Sequence, residues 1–130
     1  MHGLAPGGAL VVDNDREALS AMRALLRGWG WHVWVASDAA QALAIGCDPD
    51  VLLLDYHLDQ GATGLQALAQ LRRRHADVPA LILTADREQG VRDAVREAGA
   101  SILYKPMKPL ALRQFLQRLH RAPRARERVS

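Results

Sequence analysis

The sequence predicts an α/β protein: a parallel, doubly wound sheet with helices on both faces. Three observations carry that prediction. Strand-like apolar runs alternate with helical patterns five times along the 130 residues. Consecutive strands are separated by single helices, which implies right-handed crossovers and a parallel sheet covered on both sides. Four of the runs end on polar chemistry. Leu10-Val11-Val12 ends at Asp13-Asn14-Asp15, and Val51-Leu52-Leu53-Leu54 ends at Asp55. Leu81-Ile82-Leu83 ends at Thr84, and Ser101-Ile102-Leu103-Tyr104 ends at Lys105-Pro106. Parallel strands present their carboxyl ends on one edge, so these acids, the hydroxyl and the amine are expected to converge there.

The elements follow in order. The first strand is expected over 9–14. Ala18, Leu19, Met22, Leu25, Leu26 and Trp29 then recur at helical spacing, with Asn14 or Asp15 as cap and Gly28 and Gly30 as the stop. The second strand is His32 to Ala36. Ser37 or Asp38 opens a short helix through about Ile45, halted by Gly46. Asp48-Pro49-Asp50 turns the chain into the third strand, which closes on Asp55. A loop from Tyr56 to Thr63, with Gly61, leads past Gly64 to a third helix that places Leu65, Leu68 and Leu71 inward. Arg72-Arg73-Arg74 sits near that helix's C-terminus, where cations favour the macrodipole and a solvated end is expected. Val78-Pro79 begins the fourth strand. Val91, Ala94, Val95 and Ala98 stripe a fourth helix ending at Gly99. Leu112, Phe115, Leu116 and Leu119 stripe the last helix, after the fifth strand. Trp29, Trp31 and Trp34 surround the second strand, an edge strand, and read as packing.

Composition narrows the function classes. The length fits one domain, and 49% apolar residues suffice for a core. No apolar run approaches the roughly 20 residues of a membrane span, and the first residues lack the pattern of a signal peptide. A lone Cys47 permits no internal disulfide and points to a reducing compartment. The net charge of +3 comes from Arg121, Arg124, Arg126 and Arg128 against Glu127; the rest of the chain is balanced. A basic nucleic-acid surface is therefore not indicated. Residues 1–8 read as a linker and residues 122–130 as a basic, flexible tail. His2, His32, His75 and His120 show no metal-ligand spacing.

Taken together, Asp13-Asn14, Asp55, Thr84 and Lys105-Pro106 resemble the receiver domain of two-component response regulators, over about residues 8–121. The resemblance implies a flavodoxin-like (βα)5 fold with strand order 2-1-3-4-5, and a receiver domain over 9–121. It makes Asp55 the phosphoacceptor, fed by phosphohistidine on a histidine kinase or a histidine phosphotransfer domain. Mg²⁺, or Mn²⁺ in its place, would be held by Asp13, Asn14, Asp55 and the backbone carbonyl of His57. Thr84 and Lys105 would stabilise the phosphoryl group. Thr84 and Tyr104 would form the switch that reshapes the face of the fourth helix, fifth strand and fifth helix, which is also the candidate homodimer face. His57 and Asp86 would tune phosphate lifetime, and the bond before Pro106 would be cis. Asn14 departs from the family's commoner acid-acid pair, so weaker cation binding is expected unless Asp15 supplies the missing charge.

The tract from Asp55 through Gly61, then Thr63-Gly64-Leu65, is similar to receivers at the C-terminus of hybrid sensor histidine kinases. The expected setting is cytoplasmic, with no direct contact with membrane or nucleic acid, although a parent sensor kinase could be membrane-anchored. The module is expected to be no enzyme beyond its own phosphorylation and autodephosphorylation. Two other classes compete. A haloacid-dehalogenase-like phosphatase would use Asp13-x-Asp15, but Glu17 stands where that family has Thr or Val, and Asp55 would have no role. A pseudo-receiver would bind a partner without phosphorylation, which the intact Asp55, Thr84 and Lys105 argue against. A flavodoxin-like cofactor binder is disfavoured because no phosphate-cradling loop follows the first strand.

Overall fold

The computed structural model describes residues 6–119. Five strands alternate with five helices: β1 (Gly8–Val12), α1 (Arg16–Gly28), β2 (His32–Ala36), α2 (Ala39–Ile45), β3 (Val51–Asp55), α3 (Gly64–Leu71), β4 (Ala80–Thr84), α4 (Gln89–Glu97), β5 (Ser101–Tyr104) and α5 (Pro109–Leu119). All pairings are parallel, in the order β2-β1-β3-β4-β5. Chain order reverses direction between β1 and β3, so the crevice at their carboxyl ends is where ligand chemistry is expected.

The two-residue period of the strands sorts the core into two layers. Leu10, Val12, Leu52, Leu54 and Ile82 pack with Ala42 of α2, Leu68 and Leu71 of α3, and Val91 and Val95 of α4. The alternate residues, Ala9, Val11, Val51, Leu53, Leu81 and Leu83, pack with Leu26 of α1 and Leu112, Phe115 and Leu116 of α5. Central strands buried on both faces explain why β3 reads as unbroken leucine rather than as an alternating pattern. Leu52, Leu53 and Leu54 are fully buried, and each such side chain contributes about 2 kcal/mol of transfer free energy.

Local signals set most of the boundaries. Asp15 caps α1, its carboxylate accepting from the Glu17 and Ala18 amides. Asp38 caps α2 through the Gln41 amide, and Gly46 closes that helix in the left-handed conformation. Thr63 and Gln66 form a reciprocal capping box at α3.

Several boundaries differ from the sequence expectation. β1 begins at Gly8, inside the expected linker, and ends at Val12 rather than 14. Gly8 pairs in register with His32, and its amide donates to Asp50 Oδ2 at 2.6 Å. A Cβ at Gly8 would meet the Trp34 ring at 2.5 Å, so the edge strand's indole selects glycine there. At the other end, the Asp13 carboxylate folds back to accept from the Asp15 amide, which bends the chain out of the ladder. β4 begins at Ala80, after Val78-Pro79, because proline has no amide to give the ladder. The Arg72-Arg73-Arg74 run is not simply a solvated end. The Arg72 guanidinium donates to the Val78 carbonyl, and Arg74 Nη1 donates to the Leu43 carbonyl at 2.7 Å, tying α3 to α2. Trp31 is buried and Trp29 and Trp34 pack against the two core layers, as expected of packing residues. Residues 1–5 of the linker, His120 and Arg121, and the 122–130 tail lie outside the described residues.

Candidate functional site

Asp55 is the last residue of β3, 6% exposed, and its Oδ1 accepts from the Lys105 ammonium. That ion pair joins residues 50 apart and closes the edge between the third strand and the segment after β5. Lys105 keeps 42% of its side chain exposed against 8% for Asp55, so the ammonium is reachable from solvent while the carboxylate is recessed. The Lys105 amide also donates to the Thr84 carbonyl at 2.9 Å, extending the β4–β5 ladder by one residue. The Lys105–Pro106 peptide is cis.

Asp13 is 8% exposed. Burial is the main reason its carboxyl lies above the usual carboxylate value. The Asp15 amide opposes that rise, the field of Asp55 adds to it, the Lys105 ammonium opposes it, and Asp15 adds a little. Val12 and Leu54 are partners in the parallel β1–β3 pair, so Asp13 follows β1 beside Asp55, which Lys105 joins from the far side of the sheet. The Asp15 carboxylate is occupied as the α1 cap, at 2.9 Å from the Glu17 amide. The neighbouring Asn14 reaches the opposite wall, its Nδ2 donating to Asp59 Oδ1 at 2.6 Å.

The floor beneath Asp55 is made by glycine. The Gly64 amide donates to the Tyr56 carbonyl at 2.7 Å. A Cβ at Gly64 would collide with the Asp55 carbonyl oxygen, so only glycine lets α3 start this close to the end of β3. His57 forms an isolated antiparallel bridge with Thr63. Its exposed imidazole stands edge-on to the Tyr56 ring at 4.8 Å.

Thr84 is 1% exposed at the end of β4. Its Oγ1 accepts from the Asp86 amide at 3.0 Å, which leaves the hydroxyl proton for another acceptor. Asp86 itself accepts from the Glu88 amide at 2.9 Å, shaping the turn into α4. Thr84 and Tyr104 are in register on neighbouring strands and so project to the same face of the sheet. The Tyr104 hydroxyl is buried without a hydrogen-bond partner. Arg87 lies over the Tyr104 ring at 4.3 Å. Sequence reasoning missed Asp59, Gly64 and Arg87 as parts of the site. Gly64 alone carried a signal, a glycine directly after a helix-capping threonine.

The sequence pattern of the response regulator receiver domain matches residues 9–117. The chain belongs to that family. Response regulator MprA of Mycobacterium avium (strain 104) is 40% identical over 112 residues, covering 85% of this chain and 48% of the relative. The protein of the same name from Mycobacterium sp. (strain KMS) is 37% identical over 116 residues, covering 88% of this chain and 49% of the relative. The receiver thus spans about half the length of these curated relatives. Among solved structures, a response regulator of Chloroflexus aurantiacus J-10-fl superposes with a TM-score of 0.79 at 30% identity, covering 90% of this chain and 99% of the other. Chemotaxis protein CheY4 of Vibrio cholerae superposes with a TM-score of 0.80 at 27% identity, covering 88% and 99%. The receiver's sheet order is the one expected from its sequence, and among the described residues no helix is long and apolar enough to cross a membrane.

The residues nominated as ligands would suit a hard divalent cation. Asp13 and Asp55 offer carboxylates, Asn14 an amide oxygen and His57 a backbone carbonyl, with no soft ligand among them. No group of three or more His, Cys, Asp or Glu side chains is poised for a metal among the described residues. Two carboxylates with neutral oxygens and water match Mg²⁺, which sheds its waters reluctantly.

Proposed function

We propose that this receiver takes a phosphoryl group from phosphohistidine onto Asp55 and relays it by reshaping the α4–β5–α5 face. The observation that supports this reading most strongly is the convergence of a recessed Asp55, a buried Asp13 and a half-exposed Lys105 at the carboxyl ends of β1, β3 and β5. An Asp55 carboxylate oxygen attacks phosphorus, the phosphorus–nitrogen bond breaks, and its electron pair returns to the donor imidazole. Asp13, Asp55, the Asn14 oxygen and the His57 carbonyl would hold Mg²⁺ or Mn²⁺, which would neutralise charge on the phosphoryl oxygens. Lys105 follows that charge as a point cation, exchanging the Asp55 oxygen for a phosphoryl oxygen. Thr84 donates its free hydroxyl proton to another phosphoryl oxygen.

Pulling Thr84 toward the phosphoryl group opens space beside Tyr104, its neighbour in register. The ring can then turn inward and find a partner for its unsatisfied hydroxyl. Arg87 must release the ring for that to happen. His57 and Asp86 flank the recess and would set the lifetime by governing the attacking water. The partners are a histidine kinase or histidine phosphotransfer domain, and the setting is the cytoplasm, supported by the lone Cys47. The C-terminus of a hybrid sensor kinase is the architecture we favour, on the Asp55–Leu65 tract.

Acetyl phosphate with Mg²⁺ tests this reading. A phosphoryl mass increment that disappears in Asp55→Asn is the expected outcome. Labelling on Asp13 would instead indicate the phosphatase, and the absence of any label would indicate a partner-binding pseudo-receiver.

A further inference from the structure

The bond between Asn14 and Asp59 joins two segments 45 residues apart at the exposed edge of the site. An aspartate at position 14 could present either oxygen to a cation. An asparagine cannot, because one end of its amide is a ligand and the other repels a cation. Something must choose which end faces the recess. Asp59 accepts from Nδ2, so Oδ1 is the end left for a cation. A carboxylate acceptor also makes this bond charge-assisted, roughly twice as strong as a neutral one. Asp15, the other acid that could compensate for Asn14, uses its Oδ1 as the α1 cap.

The loop carrying Asp59 is built to hold that carboxylate in place. Asp59 opens a 3-10 turn over Asp59–Gly61, in which Gln60 has φ of 60° and Gly61 has φ of 77°. The Leu58 amide donates to the Ala62 carbonyl at 2.9 Å, and the Ala62 amide donates to the Asp59 carbonyl at 3.1 Å. A left-handed non-glycine residue costs about 1 kcal/mol, and Gln60 accepts it to close this small loop. This turn sets where the Asp59 backbone stands opposite Asn14.

We propose that Asp59 is a positioning residue of the cation pocket, acting through Asn14 by fixing the orientation of its amide. This inference rests on the cation-dependent phosphoacceptor reading. Residues that orient a metal ligand typically contribute about 10- to 100-fold in metal affinity. Asp59 also accounts for Asn14 itself. A carboxylate at position 14 would meet the Asp59 carboxylate at hydrogen-bond distance, and the two would repel.

A double-mutant cycle read by calorimetric titration with MgCl2 tests the proposal on the intact chain. Asp59→Ala is expected to weaken Mg²⁺ binding by about 10-fold or more. In the Asn14→Ala background the same change should alter affinity by no more than about twofold, the limit for independent sites. Asp59→Asn, which keeps an acceptor oxygen, should restore part of the loss. Asn14→Asp should gain affinity chiefly when combined with Asp59→Ala. Equal losses in both backgrounds would show Asp59 acting as a bulk charge, and no loss would show it inert; either result overturns the proposal. Acetyl phosphate labelling, run in parallel, separates the two levels. Parental Mg²⁺ affinity in Asp59→Ala, with Asp55 still labelled in the parent, removes this inference alone. A parent that neither binds Mg²⁺ nor takes label removes the phosphoacceptor reading and this inference with it.

Discussion

Removing the charge of Asp13 should make the metal-free receiver more stable while making it deaf to Mg²⁺. Asp13 is 8% exposed, and burial leads the influences that lift its carboxyl above the ordinary 3.8. The sign follows directly. A raised folded value means that the native state holds the proton more tightly than the unfolded chain does. Native stability therefore falls as pH rises from 3.8 through the folded value, and the penalty is fully present above that value. Each tenfold difference in proton affinity corresponds to about 1.4 kcal/mol. Asparagine keeps an oxygen to accept from the Asp15 amide but carries no charge. Asp13→Asn is expected to be more stable than the parent in EDTA at pH 7, because it removes the buried charge. In the parent, Mg²⁺ at a hundredfold excess over its dissociation constant should add about 2.7 kcal/mol, and the variant should lose most of that increment. Urea denaturation in EDTA and in Mg²⁺, at pH 7 and near pH 5, measures both effects. A variant less stable than the parent in EDTA would refute the electrostatic reasoning, as would one that keeps the full Mg²⁺ increment.

Three further outcomes are expected. Gly64→Ala should cost about 1–3 kcal/mol in urea denaturation and slow phosphoryl uptake, because the new methyl group displaces the Asp55 carbonyl; parental stability would show that α3 can simply retreat. His75 is buried, and burial, then Arg74, hold its imidazole below the ordinary 6.5, with Asp48 opposing. A depressed value means that His75 supports the fold at neutral pH and that this support is lost as pH falls from 6.5 toward the folded value. His75→Leu should flatten the stability profile over that interval, and an unaltered slope would clear His75 of the effect. His57→Ala should change the autodephosphorylation rate several-fold, measured as loss of label after donor removal; an unchanged rate excludes His57 from lifetime control.

Much of the fold was legible because the signals are local and repeated. The leucines of β3 and the stripes of α4 and α5 announce elements buried on one or both faces. Asp38 caps the second helix through a bond spanning three residues, and Gly46 ends it in the left-handed conformation. Asp55, Thr84 and Lys105 were legible because a parallel sheet carries every strand end to one edge. What escaped the sequence depends on contacts between distant segments. Gly8 belongs to a strand because Trp34 and Asp50, far along the chain, close on it. Arg72 and Arg74 are recruited to carbonyls of β4's approach and α2. The Asn14–Asp59 bond and the placement of Arg87 over Tyr104 depend on loop geometry that no periodicity records. That Asp15 spends its Oδ1 capping the first helix is a detail of chain geometry that the sequence pattern leaves open.

The most direct test is to locate the phosphoryl group itself. After incubation with acetyl phosphate, borohydride reduction cleaves an aspartyl phosphate and leaves homoserine, which peptide mass spectrometry assigns to one position. Homoserine is expected at Asp55, formed only when a divalent cation is present and lost with EDTA. Homoserine at Asp13, or the same yield at Asp55 without any cation, would contradict the phosphoacceptor reading.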